Sequence, residues 1–196
     1  MRAHLLGIIA SMPSGKVFFA ADIAAQMGET VNNVSHVLSE IAREGMLVHL
    51  TKGIYCKPLK TAQGVVLPVD RDRVIAAVLR HYAVEAVPKG LSAAWSLGLL
   101  AERPETEQYV VDHGEHRFDF GDWRLELLRC RIRPFLYRTQ LAALVVTALP
   151  SLDADRLSAE QAALLKKQIT DCPDREAFRD DVVRMPLWIK KYLRRL

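Results

Sequence analysis

An α+β fold in two parts is predicted for this 196-residue chain on three observations. In the first sixty residues apolar spacing switches between the three- and four-residue step of helices and short β-type runs. A stretch carrying Pro58, Gly64 and polar residues, 57–64, then interrupts the periodicity as a connector does. Beyond it, mostly helical patterns enclose one alternating hairpin around Gly121-Asp122. The expected domains are therefore 1–60 and 65–196, the second a mixed domain of helices packed around a small sheet. At 50% hydrophobic and 26% charged residues, the chain has enough apolar material for a core and is neither disordered nor fibrous in composition.

Leu5, Leu6, Ile8 and Ile9 recur at helical spacing and stop before Pro13 and Gly15, which predicts a short first helix. Val17-Phe18-Phe19 favours a strand, and Ala20 to Met27 reads as a second helix closed by Gly28. Thr30 is placed to cap a third helix whose inward residues are expected to be Val31, Val34, Leu38 and Ile41, with Gly45 ending it. Two β-type runs, 46–50 and 54–56, flank Thr51-Lys52-Gly53 as a hairpin. The order helix, strand, helix, turn, helix, hairpin is that of a winged helix-turn-helix, whose last helix enters the major groove while the hairpin tip meets the adjacent phosphates.

With that inward stripe, Asn32, Asn33, Ser35, His36, Ser39, Glu40 and Arg43 face outward. Asn pairs bidentately with adenine, and Ser and His bond base edges or phosphate, so Asn32, Asn33, Ser35, His36 and Ser39 are the base-edge candidates. Arg43, Thr51 and Lys52 are the backbone candidates, with Lys16, Lys57 and Lys60 as further cations within reach. The same polar face would also suit plain solvation, and Glu40 opposes a polyanion. So few cations imply weak binding by one protomer and favour a homodimer on paired half-sites of double-stranded DNA.

Net charge is +4, from 27 basic and 23 acidic side chains, and two basic ends flank an acidic middle. In the second domain Asp70 can cap a helix bearing Val74, Ile75, Val78, Leu79 and Tyr82, a second helix is expected over 91–99, and a β-like run over 108–112. Helices follow over 140–149 and from Ser158, where Gln161 completes a capping box; Pro173 and Pro186 mark two further starts. Alternation along Arg129-Cys130-Arg131-Ile132-Arg133 would put three guanidinium groups on one strand face, with Arg138 nearby. Such a face suits phosphate or an acidic partner, and equally an edge defended by charge. The cationic tail from Leu187 reads as a packed terminal helix with a solvated basic face, or as a clamp for DNA, a membrane surface or a partner.

No catalytic motif is present. Ser14-Gly15-Lys16 lacks the upstream glycine of a phosphate loop, and no nucleophile elbow, kinase signature or dinucleotide fingerprint occurs. Asp112-His113-Gly114-Glu115-His116 has ligand-type residues without a metal-site spacing, so it is expected to be a polar loop, with no metal and no cofactor. Cys56, Cys130 and Cys172 form no pair pattern, which fits a reducing cytoplasm. The apolar runs are too short for a membrane span, and no membrane role is expected.

Several segments together resemble the AbiEi-type antitoxin and transcriptional-regulator family of type IV toxin–antitoxin systems. They are Gly15-Lys16-Val17-Phe18, Leu38-Ser39-Glu40-Ile41-Ala42-Arg43-Glu44-Gly45, and Leu50-Thr51-Lys52-Gly53-Ile54-Tyr55 followed by Pro58. The likeness continues in Pro88-Lys89-Gly90-Leu91-Ser92-Ala93-Ala94, Leu97-Gly98-Leu99, Tyr109-Val110-Val111-Asp112 and Pro186-Leu187-Trp188. The resemblance implies a non-enzymatic, autoregulating repressor that binds its own promoter region through the N-terminal domain. It also implies a C-terminal domain that counters a nucleotidyltransferase-type toxin. The alternative is a protein-interaction module, acting through Arg129, Arg131, Arg133 and Arg138, that neutralises a toxin with little or no DNA binding.

Overall fold

The computed structural model describes residues 1–130, 133–152 and 157–196. It is an α+β structure with two small sheets, and the chain divides into two compact units, Met1–Ala83 and Val84–Leu196.

Unit 1 begins with helix α1 (Arg2–Ser11), strand β1 (Val17–Phe19), helix α2 (Ala20–Met27) and helix α3 (Val31–Arg43). Gly28 closes α2 at φ 67, a left-handed conformation that glycine adopts without Cβ strain. The Thr30 hydroxyl accepts the Asn33 amide (3.3 Å) and caps α3. Strands β2 (Val48–Thr51) and β3 (Ile54–Cys56) complete an antiparallel sheet in the order β1-β3-β2. His49 pairs with Tyr55 and Thr51 with Ile54, so Leu50 is an extra residue in β2, a bulge just before the hairpin tip. The core joins Leu5 and Ile9 of α1, Phe18, Ile23 of α2, Val34, Val37, Leu38 and Ile41 of α3, and Tyr55.

Two expectations are corrected here. The inward stripe of α3 is Val34, Val37, Leu38 and Ile41; Val31 is 47% exposed and Val37 is buried in its place. The domain boundary expected within 60–65 is also displaced. Residues 57–67 fold back, with Lys60 bridged to Val66 and the Leu67 amide bonded to the Leu59 carbonyl (2.8 Å). Helix α4 (Arg71–Tyr82), capped by Asp70, then packs on β1 within unit 1. His81 of α4 stacks on Phe19 (3.7 Å between ring centres) and its Nδ1 lies 2.7 Å from the Asp22 carboxylate of α2.

Unit 2 has a four-stranded sheet of β4 (Ala86–Pro88), β5 (Thr106–Val111), β6 (His116–Asp119) and β7 (Arg124–Leu128), ordered β4-β5-β7-β6. The β6–β7 hairpin turns at Gly121-Asp122 and is antiparallel, whereas β5 and β7 pair in parallel. Helices α5 (Leu91–Ser96), α6 (Gln140–Ala148), α7 (Ala159–Thr170), α8 (Arg175–Arg184) and α9 (Leu187–Leu193) share a second core. Ser158 and Gln161 form the capping box of α7. The buried Glu107 carboxylate pairs with Arg103, whose guanidinium lies 4.6 Å over the Trp95 ring.

Of the strand expected through 129–133, the described residues Arg129, Cys130 and Arg133 lie outside any strand: β7 ends at Leu128, and Arg133 precedes a 3-10 turn at Pro134–Leu136. Arg131 lies outside the described residues. Among the described residues no helix is long and apolar enough to cross a membrane.

Candidate nucleic-acid interface

The sequence places its polar candidates on α3, and the capped first turn determines which of them are open. Asn32 and Asn33 lie in that turn, where backbone N–H groups also point outward, and both side chains are exposed. His36 follows one turn later on the same side, with its side chain 72% exposed. Arg43 is exposed at the far end. These four form the open polar edge of the helix.

Ser35 and Ser39 are half-buried, and the Ser39 hydroxyl turns toward the sheet. The Tyr55 hydroxyl donates to the Ser35 carbonyl (3.3 Å) and shares a hydrogen bond with Ser39 Oγ (2.9 Å). Ser39 thus braces α3 against β3, a correction to its assignment as a base-edge residue. The reason lies in register: Tyr55 is fixed opposite Phe18 and His49, which aims its ring under α3.

At the hairpin, Lys52 is exposed at the tip and Thr51 is half-buried beside it. Gly53 holds φ 77, and its carbonyl accepts the Ala20 amide (2.9 Å), so the tip is anchored to the start of α2. His49, which sequence reasoning did not select, is exposed on β2 with its ring 5.0 Å from that of Tyr55. Its signal was the strand alternation: once His49 pairs with Tyr55, both side chains share the face that α3 covers only in part.

The cations sort differently from their expected uses. Lys57 Nζ donates to the carbonyls of Ala10 (2.9 Å) and Met12 (2.6 Å), closing the C-terminal end of α1. It is a structural group and not a phosphate contact. Arg2, by contrast, reaches α3: its Nη2 lies 2.6 Å from both carboxylate oxygens of Glu44, and Nη1 lies 3.8 Å from Glu40. The bond to Glu44 raises the guanidinium above its ordinary pKa, with the Glu44 and Glu40 charges adding to it. Glu40 also faces His36 at 3.7 Å. The acidic end of the helix, which opposes a polyanion, is therefore neutralised in part by Arg2.

In unit 2, Arg129 and Arg133 line a cavity of about 270 Å³ with Asp112, Val110, Phe135 and Leu136. Arg138 does not join them; its Nη1 lies 3.5 Å from Asp180, and its amide donates to Asp181 (3.0 Å). The 112–116 segment is engaged by its neighbours. Asp112 accepts the Glu85 amide (3.0 Å) and pairs with His113 (2.9 Å), a bond that holds its carboxyl below the usual carboxylate range. Glu115 accepts the Arg129 amide (3.0 Å). Among the described residues no group of three His, Cys, Asp or Glu side chains is arranged to hold a metal ion, and the three cysteines are free thiols.

Comparison with solved structures finds a similar fold in the crystal structure of the RV2827C protein from Mycobacterium tuberculosis. The TM-score is 0.55 at 17% identity, over 95% of this chain and 72% of that one. No curated protein matches the sequence. A family model described as a family of unknown function, DUF6088, matches residues 4–174.

Proposed function

The chain belongs to the DUF6088 family, and we propose that it is a sequence-specific DNA-binding transcriptional repressor built on an N-terminal winged helix-turn-helix. One observation carries the reading: the capped N-terminal turn of α3 presents Asn32 and Asn33, with His36 above them and the exposed Lys52 tip on the same unit. The amides supply the paired donor and acceptor that read adenine, and Lys52 supplies a point charge for phosphate. Arg2 supports the reading by neutralising Glu44 and Glu40.

The protein acts in the cytoplasm as a homodimer on double-stranded DNA upstream of its own gene, without catalysis. Two half-sites double the phosphate contacts that one protomer lacks. The resemblance set out above extends this to an autoregulating antitoxin of a type IV toxin–antitoxin system, countering a nucleotidyltransferase-type toxin. A second reading, a protein-interaction module that neutralises a toxin, draws on the convergence of Arg129 and Arg133 at one cavity.

Titration of the full-length protein with its own upstream DNA and with a scrambled duplex, at low and high salt, tests the proposal. The upstream DNA is expected to bind more tightly. Asn33→Ala should cost about 1–3 kcal/mol on that DNA and little on the scrambled duplex. Lys52→Ala should weaken both and lower the salt slope by about 1. Equal affinity for the two duplexes at both salts would overturn the repressor reading.

A further inference from the structure

The corner where α8 meets α9 carries large apolar side chains on its outside. Val183 is 73% exposed, Leu187 64%, Leu136 60% and Trp188 44%. A lone exposed apolar residue is ordinary on a folded surface; several large ones at a single corner are the mark of an interaction site. Hydrogen bonds place them together. Arg184 Nη1 donates to the Leu136 carbonyl (3.3 Å), and Lys190 Nζ reaches the Val183 carbonyl (3.2 Å) across the corner. The inward sides of the same helices are already filled by Asp181 and Ile189, and the link between them by Met185, all buried. The outer residues are therefore not part of the unit's own core.

The charge that follows Val182 in this corner is all basic. From residue 182 to 196 the chain holds Arg184, Lys190, Lys191, Arg194 and Arg195 and no acidic residue. Asp180, the carboxylate that precedes them on the exposed side of α8, faces Arg138 at 3.5 Å. Arg184 and Lys190 are tethered to backbone carbonyls, so their remaining N–H groups are held in place before any partner arrives.

We propose that this corner docks an acidic amphipathic helix of a partner protein. The helix lays its apolar stripe on Leu136, Val183, Leu187 and Trp188 and its carboxylates against the surrounding arginines and lysines. Trp and Arg are the residue types that anchor protein interfaces, and the guanidinium fork matches a carboxylate with two parallel bonds. A lipid surface is the poorer fit. A helix lying in a membrane turns its apolar stripe to the acyl chains, whereas Ile189 of α9 is sealed inside the unit's own core. The proposal rests on unit 2 alone and stands apart from the DNA-binding reading.

The test uses the full chain and a fluorescein-labelled helical peptide with a leucine stripe edged by glutamates, beside a control peptide edged by lysines. The glutamate peptide is expected to bind, and to weaken as salt is added. The double substitution Leu187→Ser, Trp188→Ala should reduce its affinity about tenfold or more, and Leu187→Ser alone, at a side chain 64% exposed, should lower it without changing helicity or Tm. Lys191→Glu should weaken it as well and should not weaken the lysine-edged control. Failure of the glutamate peptide to bind, equal binding of the two peptides, or unchanged affinity in the double variant would overturn the proposal. So would phosphatidylglycerol vesicles or duplex DNA binding in a way that these substitutions abolish while the peptide does not bind.

Discussion

At Arg2 a single guanidinium joins the first helix to the acidic end of the third, with 2.6 Å bonds to both oxygens of Glu44. Both partners are partly exposed, so the pair adds little to stability. Under the proposed function, its weight falls on the field that an approaching DNA duplex meets. Arg2→Ala is expected to leave Tm nearly unchanged and to weaken DNA binding several-fold at low salt, with the loss shrinking at high salt. Adding Glu44→Gln to that variant should restore most of the affinity, as read by fluorescence anisotropy. A loss that Glu44→Gln does not recover would argue against charge neutralisation. Residue roles of this kind were only half legible in the sequence. Spacing fixed Val34, Leu38 and Ile41 as inward, yet a period of 3.6 admits Val31 or Val37 as the fourth member, and packing selected Val37. Ser39 and Lys57 misled for another reason: each is committed to a group distant in sequence, Tyr55 or the α1 carbonyls, which no local pattern reveals.

Individual elements were legible wherever a cap or a turn glycine declared them. Thr30, Asp70 and Ser158 each begin a helix, and Gly28 and Gly53 end a helix and turn a hairpin. Strand β4 was not expected, because Pro88 lacks a backbone N–H; it sits at the edge of its sheet, where that donor is dispensable. The parallel pairing of β5 with β7 was equally invisible, since β6 intervenes in sequence but lies outside them in the sheet. Helix α6 has its start secured from a distance. The buried Asp181 carboxylate accepts the Arg138 amide (3.0 Å), the Thr139 amide (2.8 Å) and the Thr139 hydroxyl (2.8 Å), while Thr139 caps α6. Burial pushes this carboxyl up, but those bonds and the Arg184 charge outweigh it and leave the pKa lowered. A lowered folded value means that the stabilisation is complete above the ordinary carboxyl pKa, about 4, and is lost as pH falls through the folded value. Asp181→Asn is expected to cost on the order of 1–3 kcal/mol at neutral pH. The Tm gap between wild type and variant should close on acidification; a gap of constant size from neutral to acid pH would contradict this account.

At the scale of the molecule, the division at Ala83 makes α4 part of the N-terminal unit, held to it by Phe19, Asp22 and His81. Proline and glycine at 58 and 64 signalled a connector by composition, but the segment bonds back on itself, a tertiary fact that composition does not carry. A fragment covering 1–83 is expected to unfold cooperatively in urea, and one covering 1–60 to be less stable, because its β1 lacks the cover of α4. Equal midpoints for the two fragments would return the boundary to the connector. Within the same unit, Leu50 stands outside the β2–β3 ladder, so Thr51 and Lys52 leave the sheet out of phase with His49. Deleting that one residue would even the ladder and turn the tip over, carrying the lysine to the opposite side. A loop-length change of one residue would thereby alter what the protein displays at its N-terminal rim while every helix stays where it is.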